Sequence, residues 1–183
     1  YSRAGLRELA EQLPHLLATP EGFRDLPEMF DRVGVCLVYF EALPSAKMDG
    51  CAFFLGDVPV IGLSGRGRRL DKVLFTLMHE VAHLTLDHVA PGDLLLESLD
   101  ESDSGNSNER AANKLAADWV LPDGLPSVPQ RLSRAWIAEQ AERLSVHPIV
   151  LVGRLQKDGR LPWRTPLAKD APSIDAELQA WLA

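Results

Sequence analysis

Apolar positions change period several times along this chain. Leu6, Leu9, Leu13, Leu16 and Leu17 recur at helical spacing until Pro20 to Gly22 break the pattern, so GLRELAEQL reads as a surface helix. Residues 27–33 allow a further turn or two of helix ending at Gly34, and VCLVYFEAL is then apolar and β-rich enough for a strand. CAFFLGD and PVIGLSG are short apolar runs about a Gly56–Asp57 turn, which predicts a hairpin; Pro59 favours an edge or a strand start. Residues 70–88 make the strongest helix. From Pro91 to Asn108 the chain turns acidic and rich in Ser and Asn (ESLDESDSGNSN), the composition of a mobile loop. A helix from Glu109 to about Val120 follows, closed by Leu121–Pro122. SRAWIAEQAERL and PIVLVGRLQKDG read as two more, the second opened by Pro148 and stopped by Gly159, and DAELQAWLA as the last. The expected class is α+β: a small three-stranded sheet, antiparallel or mixed, packed on helices. Residues 1–125 would form the principal domain and 126–183 a helical extension packed on it.

Composition narrows this picture. A chain of 183 residues with 46% hydrophobic and 25% charged residues can bury a core of its own as an ordinary globular protein. Its net charge of -7 argues against gripping a phosphate backbone. No apolar run reaches the length a bilayer needs, and no signal peptide opens the chain. Cys36 and Cys51 lie in separate apolar segments and read as reduced core residues, so a cytoplasmic location is expected. Because helix-like sequence begins at Tyr1, we also expect this to be a piece of a longer protein with an N-terminal part missing.

Chemistry concentrates in FTLMHEVAHLTLDH, residues 75–88, which holds three of the five histidines. At about 100° per residue, with His79 at zero, His83 falls near 40°, Thr76 near 60° and Glu80 near 100°. Leu70, Leu74, Leu77, Val81 and Leu84 gather on the opposite side, so a core stripe is separate from an imidazole face. Two imidazoles one turn apart can share one tetrahedral metal ion, and Glu80 is offset enough to miss the ion yet reach a water beside it. That is the H-E-x-x-H arrangement of metal-assisted hydrolysis, with Glu80 as general base. His88 falls on the core side if the helix stays regular, and reads as a helix-end or core histidine.

A catalytic zinc wants a third protein ligand and an open position. NERAANKLAADWVLP supplies Glu109, with Asn113 on the same helical face, and Ala112, Ala116 and Ala117 would let this helix approach the first closely. Asn113 could then support a ligating imidazole through its outer nitrogen. By itself, Glu109 reads better as an exposed acid at a helix start; beside the two histidines it reads as the third ligand.

Together, FTLMHEVAHLTLDH and NERAANKLAADWVLP resemble the ImmA/IrrE family of zinc metallopeptidases over roughly residues 35–122. AERLSVHPIVLVGRLQKDGRLP is similar to the C-terminal helices of this domain where it follows an Xre-type helix-turn-helix, as in HigA-like antitoxin regulators. The resemblance implies one catalytic Zn2+ held by His79, His83 and Glu109, and Glu80 as general base. It further implies a protein substrate, a helix-turn-helix repressor or antitoxin, and a DNA-binding domain upstream of this chain. Leu115 and Trp119–Val120 depart from the usual residues, apolar for apolar, which touches packing and not chemistry.

Two other readings stay open: a catalytically quiet sensor or dimerisation domain of such a regulator, and DNA binding by residues 133–157. The second rests on a helix-turn-helix cadence and on eight Lys or Arg against three acids between Arg131 and Lys169. Its apolar positions are what packing requires, so direct DNA binding by this chain is not expected. Homodimerisation is left open, as is the oxyanion stabiliser, for which His88, Tyr39 or the acidic loop from Glu97 to Asp103 are candidates. GRGRR, residues 65–69, reads as a solvated loop. Trp163 and Trp181 read as packing residues or as a partner surface.

Overall fold

The structure, a computed structural model, describes residues 1–41, 48–64, 66–91 and 107–182. In chain order the elements are α1 (Arg3–Leu16), α2 (Leu26–Asp31), β1 (Cys36–Tyr39), β2 (Gly50–Leu55), β3 (Val58–Leu63), α3 (Leu70–Thr85), α4 (Ser107–Val120), α5 (Arg134–Arg143), α6 (Pro148–Lys157) and α7 (Asp175–Gln179). Local chemistry explains several of the helix starts. The Ser2 hydroxyl accepts from Gly5 N at 3.1 Å, the Ser133 hydroxyl from Trp136 N at 3.1 Å and His147 Nδ1 from Ile149 N at 3.0 Å, while Pro148 gives up no needed donor in the first turn of α6.

The sheet is mixed, in the order β1-β3-β2. β3 runs parallel to β1, with Cys36 beside Val60 and Tyr39 beside Leu63, and antiparallel to β2, with Gly50 beside Leu63 and Leu55 beside Val58. Pro59 therefore lies at the start of the central strand, as one of the two expectations had it, and not at an edge. It is tolerated because pairing with β1 begins only at Val60, one residue later. Cys36 corrects another expectation: alternation along β1 turns it to the exposed side, and Cys51 is half-buried, both as free thiols.

α3 is the hub, packed on α1, α4, α6, β2 and β3. Leu77, Met78, Val81 and Ala82 on it are fully buried, which is where the apolar stripe had to point. On α5 and α6, Ile137, Ala141, Ile149, Val150, Val152 and Leu155 are buried as well, so the apolar faces of these helices serve packing. One polar joint ties α6 to the start of α3. The Arg69 guanidinium meets the Asp71 carboxylate through two bonds of 2.6 and 2.8 Å and donates to Gln156 Oε1 at 3.1 Å. Such a charge-assisted fork fixes geometry as well as energy. Gly153 makes room for it, since a Cβ there would stand 2.2 Å from Asp71 Oδ2.

The chain ends return to the body of the fold. Trp181 Nε1 donates to Phe23 O at 3.0 Å, whereas Trp163 is 64% exposed. Among the described residues no helix is long and apolar enough to cross a membrane. The acidic loop from Glu97 to Asp103 lies outside the described residues.

Candidate metal centre

α3 and α4 build the centre between them. Ala112 and Ala116 on α4 are fully buried, and side chains this small let the two helix backbones approach until Glu109 stands over the imidazole face of α3. His79 Nε2 and His83 Nε2 are 3.0 Å apart, and Glu109 sets one carboxylate oxygen 3.2 Å from each, Oε2 from His79 and Oε1 from His83. Ligands held about 2.0–2.1 Å from a tetrahedral ion stand about 3.3 Å from one another, close to this spacing.

The protonation states point the same way. Burial is the main cause holding both imidazoles in the neutral form, and it pushes His83 down to about 4. With the proton of each ring on Nδ1, the two imidazoles and the carboxylate present lone pairs to one point, and a cation there would satisfy all three. The donor set therefore fits a divalent ion. All three side chains remain partly open to solvent, which leaves a way in for a further ligand.

Glu80, by contrast, is buried. The β2 strand start covers it: a Cβ on Gly50 would come within 3.0 Å of Glu80 Oε1 and 2.6 Å of Thr76 Cγ2, so only glycine lets the strand lie this close. Burial, with the Glu109 charge second, raises the Glu80 carboxyl from 4.5 to about 8. In metal-free protein this acts on stability. An unfolded chain ionises Glu80 above pH 4.5 while the folded one keeps the proton up to about 8, so stability falls as pH rises through that window. Below pH 6.5, His83 opposes the trend, because the unfolded imidazole takes up a proton that the folded one refuses down to about 4. Between pH 6.5 and 8 Glu80 acts without that opposition, and chelated protein should lose about 2 kcal/mol, measured by urea denaturation. Glu80→Gln should flatten the profile; a wild-type profile already flat there would mean an ionised carboxyl.

Asn113, one turn after Glu109, lies beside His79, and its carboxamide favours the protonated ring. His79 Nδ1 is buried, yet it has no formed hydrogen bond. Among the described residues Tyr39 makes no hydrogen bond or ring contact with the centre, and β3 separates its strand from β2. Cys51 is near enough for the Glu80 charge to act on it, but burial first and Glu80 second raise its thiol, which favours the protonated form.

His88 is the residue that helical periodicity misplaces. α3 stops at Thr85; Asp87 takes a left-handed φ of 57° and His88 N bonds back to His83 O at 3.0 Å, a Schellman closure. Arg3 of α1 holds the Asp87 carboxylate in a salt bridge. The turn brings the His88 ring round to the imidazole face, with its Nδ1 3.2 Å from His83 Nδ1. If His83 offers an Nε2 lone pair to a metal, its Nδ1 carries the proton and His88 accepts it, which fixes the tautomer. His88→Ala should weaken metal binding about 10–100-fold, read by competition with a chelating dye, with the fold intact. Unchanged affinity would reduce His88 to a helix end.

Comparison with curated proteins and with solved structures found no match. Residues 35–156, two thirds of the chain and all of the metal centre, match the Peptidase_M78 family, described as IrrE N-terminal-like domain, and the chain belongs to that family as a metallopeptidase-like domain.

Proposed function

We propose that this domain is a zinc-dependent endopeptidase that cleaves a helix-turn-helix repressor or antitoxin. The carrying observation is the convergence of His79, His83 and Glu109 from two helices, with a buried carboxyl, Glu80, beside them. Family membership supports a peptidase, and two nitrogens with one carboxylate suit zinc better than harder ions.

Bound there, the ion would polarise the scissile carbonyl and lower the pKa of a water, and its charge would draw Glu80 into the ionised form. Glu80 then takes a proton from the attacking water and passes it to the leaving amine, a role its burial beside the ligands suits. His88 holds the His83 ring, and Asn113 stands where it can steady His79. β2 pairs only with β3 among the described residues, so its outer edge is free for an extended substrate strand running past Gly50 toward Glu80. A substrate of this kind places the reaction in the cytoplasm, in a longer protein or complex that carries the DNA-binding part.

The test is incubation of the full-length protein with its neighbouring repressor and zinc, beside a Glu80→Gln control. Cleavage by both proteins alike would end the catalytic assignment. Bound zinc without hydrolysis of any candidate partner would favour the quiet sensor or dimerisation domain instead.

A further inference from the structure

The arginine-rich turn before α3 takes no part in the metal centre, and its arginines are engaged elsewhere. Arg66 pairs with Asp49 at 3.7 Å, Arg68 with Asp175 at 3.0 Å and Arg69 with Asp71 at 2.6 Å. The turn borders a groove of about 870 Å³ between α3, α4 and α6, within the size range of ligand sites. Its floor is apolar, formed by Val73, Ala117, Val120 and Val150, and exposed Trp163 stands at its rim. At one end it reaches Thr76, one turn before Glu80, and Asn113, one turn after Glu109. One end of the groove thus lies about one helical turn from Glu80 and from Glu109.

Among the described residues its charges do not cancel. Asp49, Asp71, Asp118 and Asp158 line it, and each is paired with one cation of the same lining, namely Arg66, Arg69, Lys114 and Arg154. Lys72 and Lys157 are left over, with no ion pair among the described residues. A positive excess inside a chain of net charge -7 is a local feature, felt over about one Debye length, roughly 8 Å. The Lys72 stem is also partly fixed, because Gly67 packs on it so closely that a Cβ there would lie 3.2 Å from Lys72 Cβ. Less side-chain freedom is then lost when its ammonium is engaged.

We propose that this groove is a substrate subsite for an extended peptide segment carrying carboxylate side chains next to an apolar residue, the apolar side chain on the floor and the acids on Lys72 and Lys157. The proposal rests on the peptidase reading and adds a specificity to it. Lys72 precedes Glu80 by eight residues on α3, about 12 Å along the axis. An extended chain covers that in about three to four residues, which sets the distance of the acidic position from the scissile bond.

Synthetic dodecapeptides test this, with Leu directly beside Asp-Asp, Asn-Asn or Lys-Lys, the cluster placed three to four residues from the central peptide bond on its amino or its carboxyl side. Binding to the zinc-loaded Glu80→Gln chain is followed by fluorescence anisotropy, and cleavage by the wild-type chain in parallel. On one of the two sides the Asp peptide should bind about tenfold more tightly than the Asn peptide. A Lys72→Glu/Lys157→Glu variant, altered only at exposed positions, should prefer the Lys peptide. Equal affinities, no binding at all, or a preference unchanged in the double variant would overturn the proposal. An acid preference without any cleavage would keep the groove and remove the peptidase reading; cleavage without the preference would do the reverse.

Discussion

Glu80→Gln should reduce peptide hydrolysis by at least about 10²–10⁴-fold, the range general acid–base groups contribute, while metal content stays that of the wild type. Glutamine keeps the shape of the side chain under Gly50 but cannot accept the proton of an attacking water. Because the position is buried and raised to about 8, the substitution also removes an ionisable group from a dry site, so folding should not suffer. Loss of activity therefore separates cleanly from loss of structure. Measured turnover of a cleaved partner, with metal analysis of both proteins, decides it: a variant still turning over within a few-fold of wild type would require another base.

The second large effect concerns Glu109. A divalent ion that binds only the folded chain adds about 2.7 kcal/mol of stability at a hundred times its Kd. For a domain of this size that corresponds to a rise of about 5–10 °C in Tm. Glu109→Ala should abolish most of the rise, because the two imidazoles would keep the ion without the carboxylate that lies 3.2 Å from each. Glu109→Gln offers a neutral oxygen of the same reach and should recover part of it. A metal-dependent shift as large in Glu109→Ala as in wild type would remove this residue from the ligand set, and with it the reading of α4 as half of the centre.

Periodicity carried far in this protein where one element sufficed. The spacing of Leu70, Leu74, Leu77, Val81 and Leu84 already separates a core stripe from His79 and His83, since both follow from a single regular helix. The hairpin about Gly56 and the helix start at Pro148 were legible for the same reason. His88 was not, because its position depends on where α3 stops, and the closure uses an aspartate, not a glycine, in the left-handed conformation. Cys36 misled in a related way, and of the two places open to Pro59 only the strand start held: strand order and the side a residue faces are set by pairing partners that no local pattern names.

From residue order alone came an amphipathic helix with paired imidazoles and an acid between them, a second helix with a carboxylate and small residues on one face, and an α+β class. Those features are properties of single elements, governed by backbone period and side-chain type. Three matters waited on packing: the 3.0–3.2 Å convergence of donors from α3 and α4, the burial of Glu80 beneath β2, and the groove with its two lysines that have no ion pair among the described residues. Each is a relation between elements distant in sequence, set by how closely two surfaces approach and by which charges they leave without a counter-charge.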